Sequence, residues 1–182
     1  MSELDNSILD NQLFDRNINV EKQFLITTDK FILLSILTLG MYPFWWTYKA
    51  WRFFKQKDEL DIYPFARALF TIFYLYSLFE MIQAYADSTN YSKRYSSGGN
   101  FAGIIIFNFL NRAPLPFNLI SLLSFIFYLS PFIALNYAKE NSGNIEYEYY
   151  QFFSGRQIVI MILGLIFWYF VMLLVLGYKF DF

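Results

Sequence analysis

The chain has 182 residues, 57% of them hydrophobic and 23% aromatic, and 14 Lys and Arg stand against 15 Asp and Glu. Soluble domains hold roughly 45–50% apolar and about 25% charged residues; here 16% are charged, and a net charge of −1 with no basic tract gives nucleic acid no foothold. Cys and His are absent, which excludes disulfides, thiolate or imidazole metal sites, and Ser–His or Cys–His catalysis.

The opening stretch, MSELDNSILDNQLFDRNINVEKQFLITTDK, is polar and acidic, whereas a cleavable signal peptide needs a basic start and an immediate apolar run. Residues 1–29 are expected to form a polar tail, and the apolar run that opens at Phe31 an uncleaved anchor. A hydrocarbon core ~30 Å thick takes about 20 mostly apolar residues as a helix. Segments of about 31–48, 64–86, 117–138 and 157–178 meet that length. Pro43 is expected to kink the first of them or to split it into a spanning and an interfacial part, because it removes a backbone donor. Pro64 suits the first helical position of the second, and Pro131 predicts a kink in the segment 117–138. Segment 101–113, FAGIIIFNFLNRA, reaches only about two-thirds of the way across at ~1.5 Å per residue. It is expected to be a short span or a re-entrant helix. The expected fold is all-α, an integral membrane helical bundle of four transmembrane helices plus this short one, forming a single domain over residues 30–182. Segments this long with no alternating polar face weigh against a soluble helical protein.

The first segment ends in TLGMYPFWWTYKAW. Trp and Tyr place an apolar body in the acyl layer and an NH or OH in the wet layer, so Trp45, Trp46, Tyr48 and Trp51 read as an interfacial belt backed by Arg52 and Lys55. The functional alternative is a lipid-headgroup or partner site, with Thr38, Gly40 and Pro43 permitting an irregular backbone beside it. Thr38, Gly40 and Tyr42, followed by Trp46, Tyr48 and Lys49, form a T-x-G-x-Y…W-x-Y-K pattern. A second stretch runs Leu115-Pro116, Leu119-Ile120-Ser121 and Leu122-Leu123-Ser124-Phe125, with Asn136-Tyr137 beyond. Together they resemble a family of small, uncharacterised bacterial inner-membrane proteins, a domain of unknown function, from which Pro43 is a departure. The resemblance implies a bacterial inner-membrane location and no particular activity.

Charged side chains inside apolar segments are the default functional hypotheses, and among the four long segments only 64–86 holds them. Arg67 lies near its start and is expected to snorkel. Glu80, with Ser77, Gln83 and Asp87 at helical spacing, is a helix-end polar residue or, facing the bundle, an ion or proton site. Gly99-x-x-x-Gly103 reads as a flexible loop or as a small-xxx-small helix contact. NIEYEYYQFF is an acidic-aromatic loop without the paired ligands that a divalent cation needs. Basic residues in short loops favour the cytoplasm, which places the loop 49–63 inside and the acidic tail outside. No catalytic constellation, metal site or cofactor motif is present. The expectation is a non-enzymatic membrane protein whose partners are the lipid bilayer and a protein or further copies of itself, with no nucleic acid. The alternative is a small oligomeric channel or transporter subunit.

Overall fold

The computed structural model describes residues 20–114, 117–150, 153 and 155–177, so the beginning of the tail, Leu115, Pro116 and position 178 lie outside the described residues. The described chain is mostly helical. Strand β1 (Gln23–Leu25) leads into α1 (Thr28–Leu37), α2 (Met41–Lys57), α3 (Pro64–Leu69), α4 (Thr71–Ser88) and α5 (Ser97–Phe109). Two 3-10 segments, Leu110–Arg112 and Phe117–Phe125, precede α6 (Ile126–Asn141). Strand β2 (Tyr147–Tyr149) and α7 (Gly155–Gly177) complete it.

The first apolar segment is split, but three residues ahead of Pro43. Leu39 and Gly40 adopt positive φ, 53° and 82°, a left-handed pair that ends a helix and that glycine adopts at little cost. Gly40 N–H returns to the Ser35 carbonyl at 2.8 Å, and Thr38 Oγ1 accepts the Tyr42 N–H at 2.9 Å. Pro43 then falls in the first turn of α2, where its missing N–H has no helical acceptor to lose. The second segment is jogged at Phe70, which stands between α3 and α4 with φ −92° and ψ 42°. Four uninterrupted spans are therefore not what forms. Two stretches, Phe117–Asn141 and Gln157–Leu174, are long and apolar enough to cross a membrane. Segment 101–113 is helical in α5 as far as Phe109 and continues in the 3-10 segment Leu110–Arg112, and Gly99 and Gly103 lie inside α5 rather than in a loop. Ser96 caps it by accepting the Gly99 N–H at 3.0 Å. The expected loop 49–63 is helix as far as Lys57.

Three helical hairpins open at one end. The chain leaves β1, turns at Thr38–Gly40 and returns to Lys57. It leaves again through the loop 58–63, turns at Phe70 and returns to Ser88. It leaves once more at Ser96 along α5 and returns along Phe117–Phe125 and α6 to Asn141. Lys57, Ser88, Asn90, Asn141 and Ser142 line a single polar cavity of about 300 Å³, so the three return points meet. At the same end β1 and β2 pair in parallel, Phe24 opposite Glu148. The acidic-aromatic loop is thus a strand in part, and Lys22 closes on Glu148 at 3.0 Å.

Away from that end the surface is apolar. Leu69, Phe70, Ile72 and Phe73 are exposed around the second turn, and Ile106, Phe109, Phe117 and Ile120 around the third. Helix α7 is exposed on nearly every side. It is docked on α1 through Trp168, whose Nε1–H donates to the Ile36 carbonyl at 3.0 Å, and through Gly164, where a Cβ would stand 2.1 Å from the Leu37 carbonyl oxygen. At Gly103 a Cβ would come within 2.4 Å of the Phe127 ring, whereas at Gly98 the nearest atom is 3.8 Å away. Overpacking a close contact costs about 1–3 kcal/mol, and glycine inside a helix about 0.5–1 kcal/mol relative to alanine. Gly103→Ala is expected to lower the Tm in detergent and Gly98→Ala to leave it unchanged or raise it, as followed by circular dichroism.

Candidate functional site

The T-x-G-x-Y…W-x-Y-K residues divide between the interior and one groove. Thr38 and Gly40 build the α1–α2 turn, and Tyr42 is buried with its ring edge-on to Phe31 at 5.7 Å. Trp46 is also interior, only 7% exposed, with centroids 6.1 Å from Phe31, 6.1 Å from Tyr128 and 6.0 Å from Phe132. Trp51 is fully buried. The aromatic belt thus reduces to Trp45, half exposed, and Tyr48, whose rings meet at 5.2 Å. Two of the four rings are core because α2 is amphipathic: residues 42, 43, 46, 47, 50, 51, 53 and 54 are buried, the i, i+3, i+4 spacing of one helix face.

The opposite stripe of α2 carries Tyr48, Arg52, Lys55 and Gln56. Together with Glu59, Tyr63, Pro64 and Phe65 it lines a groove of about 620 Å³. Arg52 reaches Glu21 at 2.5 Å, and Lys55 Nζ donates to the Ile62 carbonyl at 2.9 Å. Lys49, the last residue of the motif, lies on the exposed side of α2 near Arg52.

The three intramembrane candidates do not come together. Arg67 is held between aromatic faces, its guanidinium carbon 4.6 Å from the Trp51 ring and 5.1 Å from Tyr74, a cation–π arrangement rather than a snorkelling one. Glu80 is exposed and accepts a hydrogen bond from the Tyr76 hydroxyl one turn earlier. It therefore points out of the bundle, and the ion or proton site that requires it to face inward has no geometric support. Gln83 fastens the α4–α5 link. Its Nε2 donates to Asp87 at 2.8 Å, its Oε1 accepts the Tyr95 N–H at 3.2 Å, and Asp87 also meets Arg94 at 3.2 Å.

One charged residue escaped sequence inspection. Lys139, 6% exposed, donates from Nζ to Gln23 Oε1 at 2.9 Å and lies 4.2 Å from the Phe53 ring centroid. Among the described residues no carboxylate lies within ion-pair distance of it. It joins the end of α6 to β1. The only signal in the sequence was its place at the end of an apolar helix, where a lysine is expected to reach for water. Nearby, a hydrogen bond from Lys22 to Glu148 and that carboxylate's charge hold the Lys22 ammonium above its ordinary pKa. Burial, then the hydrogen bond to Glu140, does the same for the Tyr149 hydroxyl. Among the described residues no three His, Cys, Asp or Glu side chains gather as metal ligands.

Comparison with known protein families, with curated proteins and with solved structures finds no match to this chain. The division of the tryptophans is directly measurable. Truncating a buried Trp costs about 3–5 kcal/mol, whereas surface changes stay within roughly ±0.5 kcal/mol. Trp46→Ala is expected to collapse the thermal transition in detergent, and Trp45→Ala to leave it nearly in place.

Proposed function

We propose that this chain is a non-enzymatic protein of the bacterial inner membrane that acts through contacts with protein or lipid made by its polar end, in an accessory, immunity or envelope role. The observation that carries this reading is the one-sidedness of the fold. Three hairpins open at a single polar face, and Lys22, Lys55, Lys57, Lys93, Arg94 and Lys139 gather there, while Arg112 stands near the third turn. The turns and α7 present apolar side chains outward, which suits an acyl environment. Basic residues in short connections remain on the cytoplasmic side, so the polar face lies in the cytoplasm, together with the basic stretch 49–63. The T-x-G-x-Y…W-x-Y-K resemblance belongs to the same proposal and points to the same membrane. With no His, no Cys and Glu80 outside the bundle, contacts made by that face account for the geometry better than catalysis or conduction.

A chain without cysteine accepts single reporters cleanly. Glu59→Cys, Asn90→Cys and Asn144→Cys are expected to react with an impermeant maleimide from the cytoplasmic side alone, in inside-out but not right-side-out vesicles. Asn90→Cys reacting from the opposite side to Glu59→Cys, as alternating spans require, would overturn the arrangement. Native mass spectrometry from mild detergent is expected to retain a second protein or lipid. A bare closed homo-oligomer that carries solute flux in liposomes would replace this reading with the channel.

A further inference from the structure

We propose that the groove between α2 and the loop leading into α3 holds the anionic phosphate headgroup of a membrane phospholipid. This deepens the lipid-contact reading and rests on it. Two cations, Arg52 and Lys55, stand one turn apart on the groove side of α2, and Tyr48 and Tyr63 bring phenol groups to its rim. Glu59 is the one carboxylate of the lining, Glu21 meets Arg52 from beside it, and Lys49 stands one helical turn before Arg52 on α2.

Neither cation is locked away. The Arg52–Glu21 pair is about half exposed on both sides, and exposed pairs of this kind contribute little and exchange readily. Lys55 directs one of its three N–H groups to the Ile62 carbonyl and lies 6.0 Å from the Tyr63 ring centroid, leaving donors for a phosphate oxygen. The volume, about 620 Å³, falls in the ordinary range of small-molecule sites.

The second half of the argument is apolar. Phe65, on the groove wall, is 62% exposed, and Leu69, Phe70 and Phe73 continue from it at 58%, 52% and 75%. They form an exposed ridge from α3 into the start of α4. A free phosphate would use the two cations and leave that ridge bare. A phospholipid uses both, its charge in the groove and its acyl chains along Phe65, Leu69 and Phe73. The adjoining ridge therefore selects the lipid among the phosphate ligands.

The test is binding by the full chain, purified and delipidated in detergent, followed by native mass spectrometry against phosphatidylglycerol, phosphatidylcholine and soluble glycerol phosphate. Phosphatidylglycerol is expected to bind saturably and about tenfold more tightly than phosphatidylcholine, with glycerol phosphate showing no adduct at the same concentration. Arg52→Gln with Lys55→Gln is expected to lower the phosphatidylglycerol affinity by about tenfold, and Phe65→Ala with Leu69→Ala to weaken both lipids. Arg112→Gln, an exposed cation near the third turn and outside the groove lining, is expected to change nothing. Equal affinity for the two lipids, or indifference to the Arg52 and Lys55 changes in a variant that keeps the parent Tm, would overturn the proposal. Tight binding of glycerol phosphate would convert the site into one for a free anion. The cysteine labelling pattern reports membrane placement independently, so failure here leaves the membrane reading standing, and failure there is visible without any lipid.

Discussion

The stacked contact of Phe31 on Phe132, with ring centroids 4.3 Å apart and Trp46 set edge-on to Phe31, is the joint on which the arrangement depends. It draws one ring from each of α1, α2 and α6, and so locks the first hairpin to the returning arm of the third. Tyr128 extends the cluster to Phe79 at 5.8 Å and brings in α4. Offset and edge-on aromatic contacts are specific in geometry, so the cluster fixes how these helices sit against one another as well as burying apolar surface. The unusual Phe and Tyr content of the chain finds a use there as well as at the surface.

Helix existence was legible in the sequence, and continuity was not. The length and apolarity of 117–138 and 157–178 matched the two stretches capable of crossing a membrane. Gly40 marks a permitted irregularity at the first break, whereas the break at Phe70 is hidden. Pro43 is the familiar helix breaker, but a proline in a first turn breaks nothing, and the break falls to Leu39 and Gly40, with φ 53° and 82°. Phe70 has no residue-type signal at all. The paired strands were equally invisible, because their partners are separated by more than a hundred residues and each is three residues long.

The site was legible in outline. TYKAWRFFKQK announced aromatic rings beside cations, and one stripe of α2 does line the groove with both. What a linear reading could not do was divide the rings, because adjacent tryptophans fall about 100° apart on a helix. Trp46 and Trp51 took the buried face and Trp45 the exposed one. Counting apolar segments also takes each for one straight helix, which the turns at Leu39–Gly40 and Phe70 do not allow. A segment that turns in its middle returns to the side it left.

The pairing of β1 with β2 bears on how the molecule is made. Tyr150 N–H reaches the Leu25 carbonyl at 3.0 Å, and Gln23 N–H reaches that of Glu146 at 2.8 Å. During synthesis β1 emerges early and its partner more than a hundred residues later. At ~5–20 residues per second the strand edge waits for several seconds, an open template for pairing with another chain. Closure of the pair comes only as the stretch leading into α7 leaves the ribosome. The clip is thus a late latch, and a chain arrested before Tyr147 would hold all three hairpins without the fastening that joins its two ends.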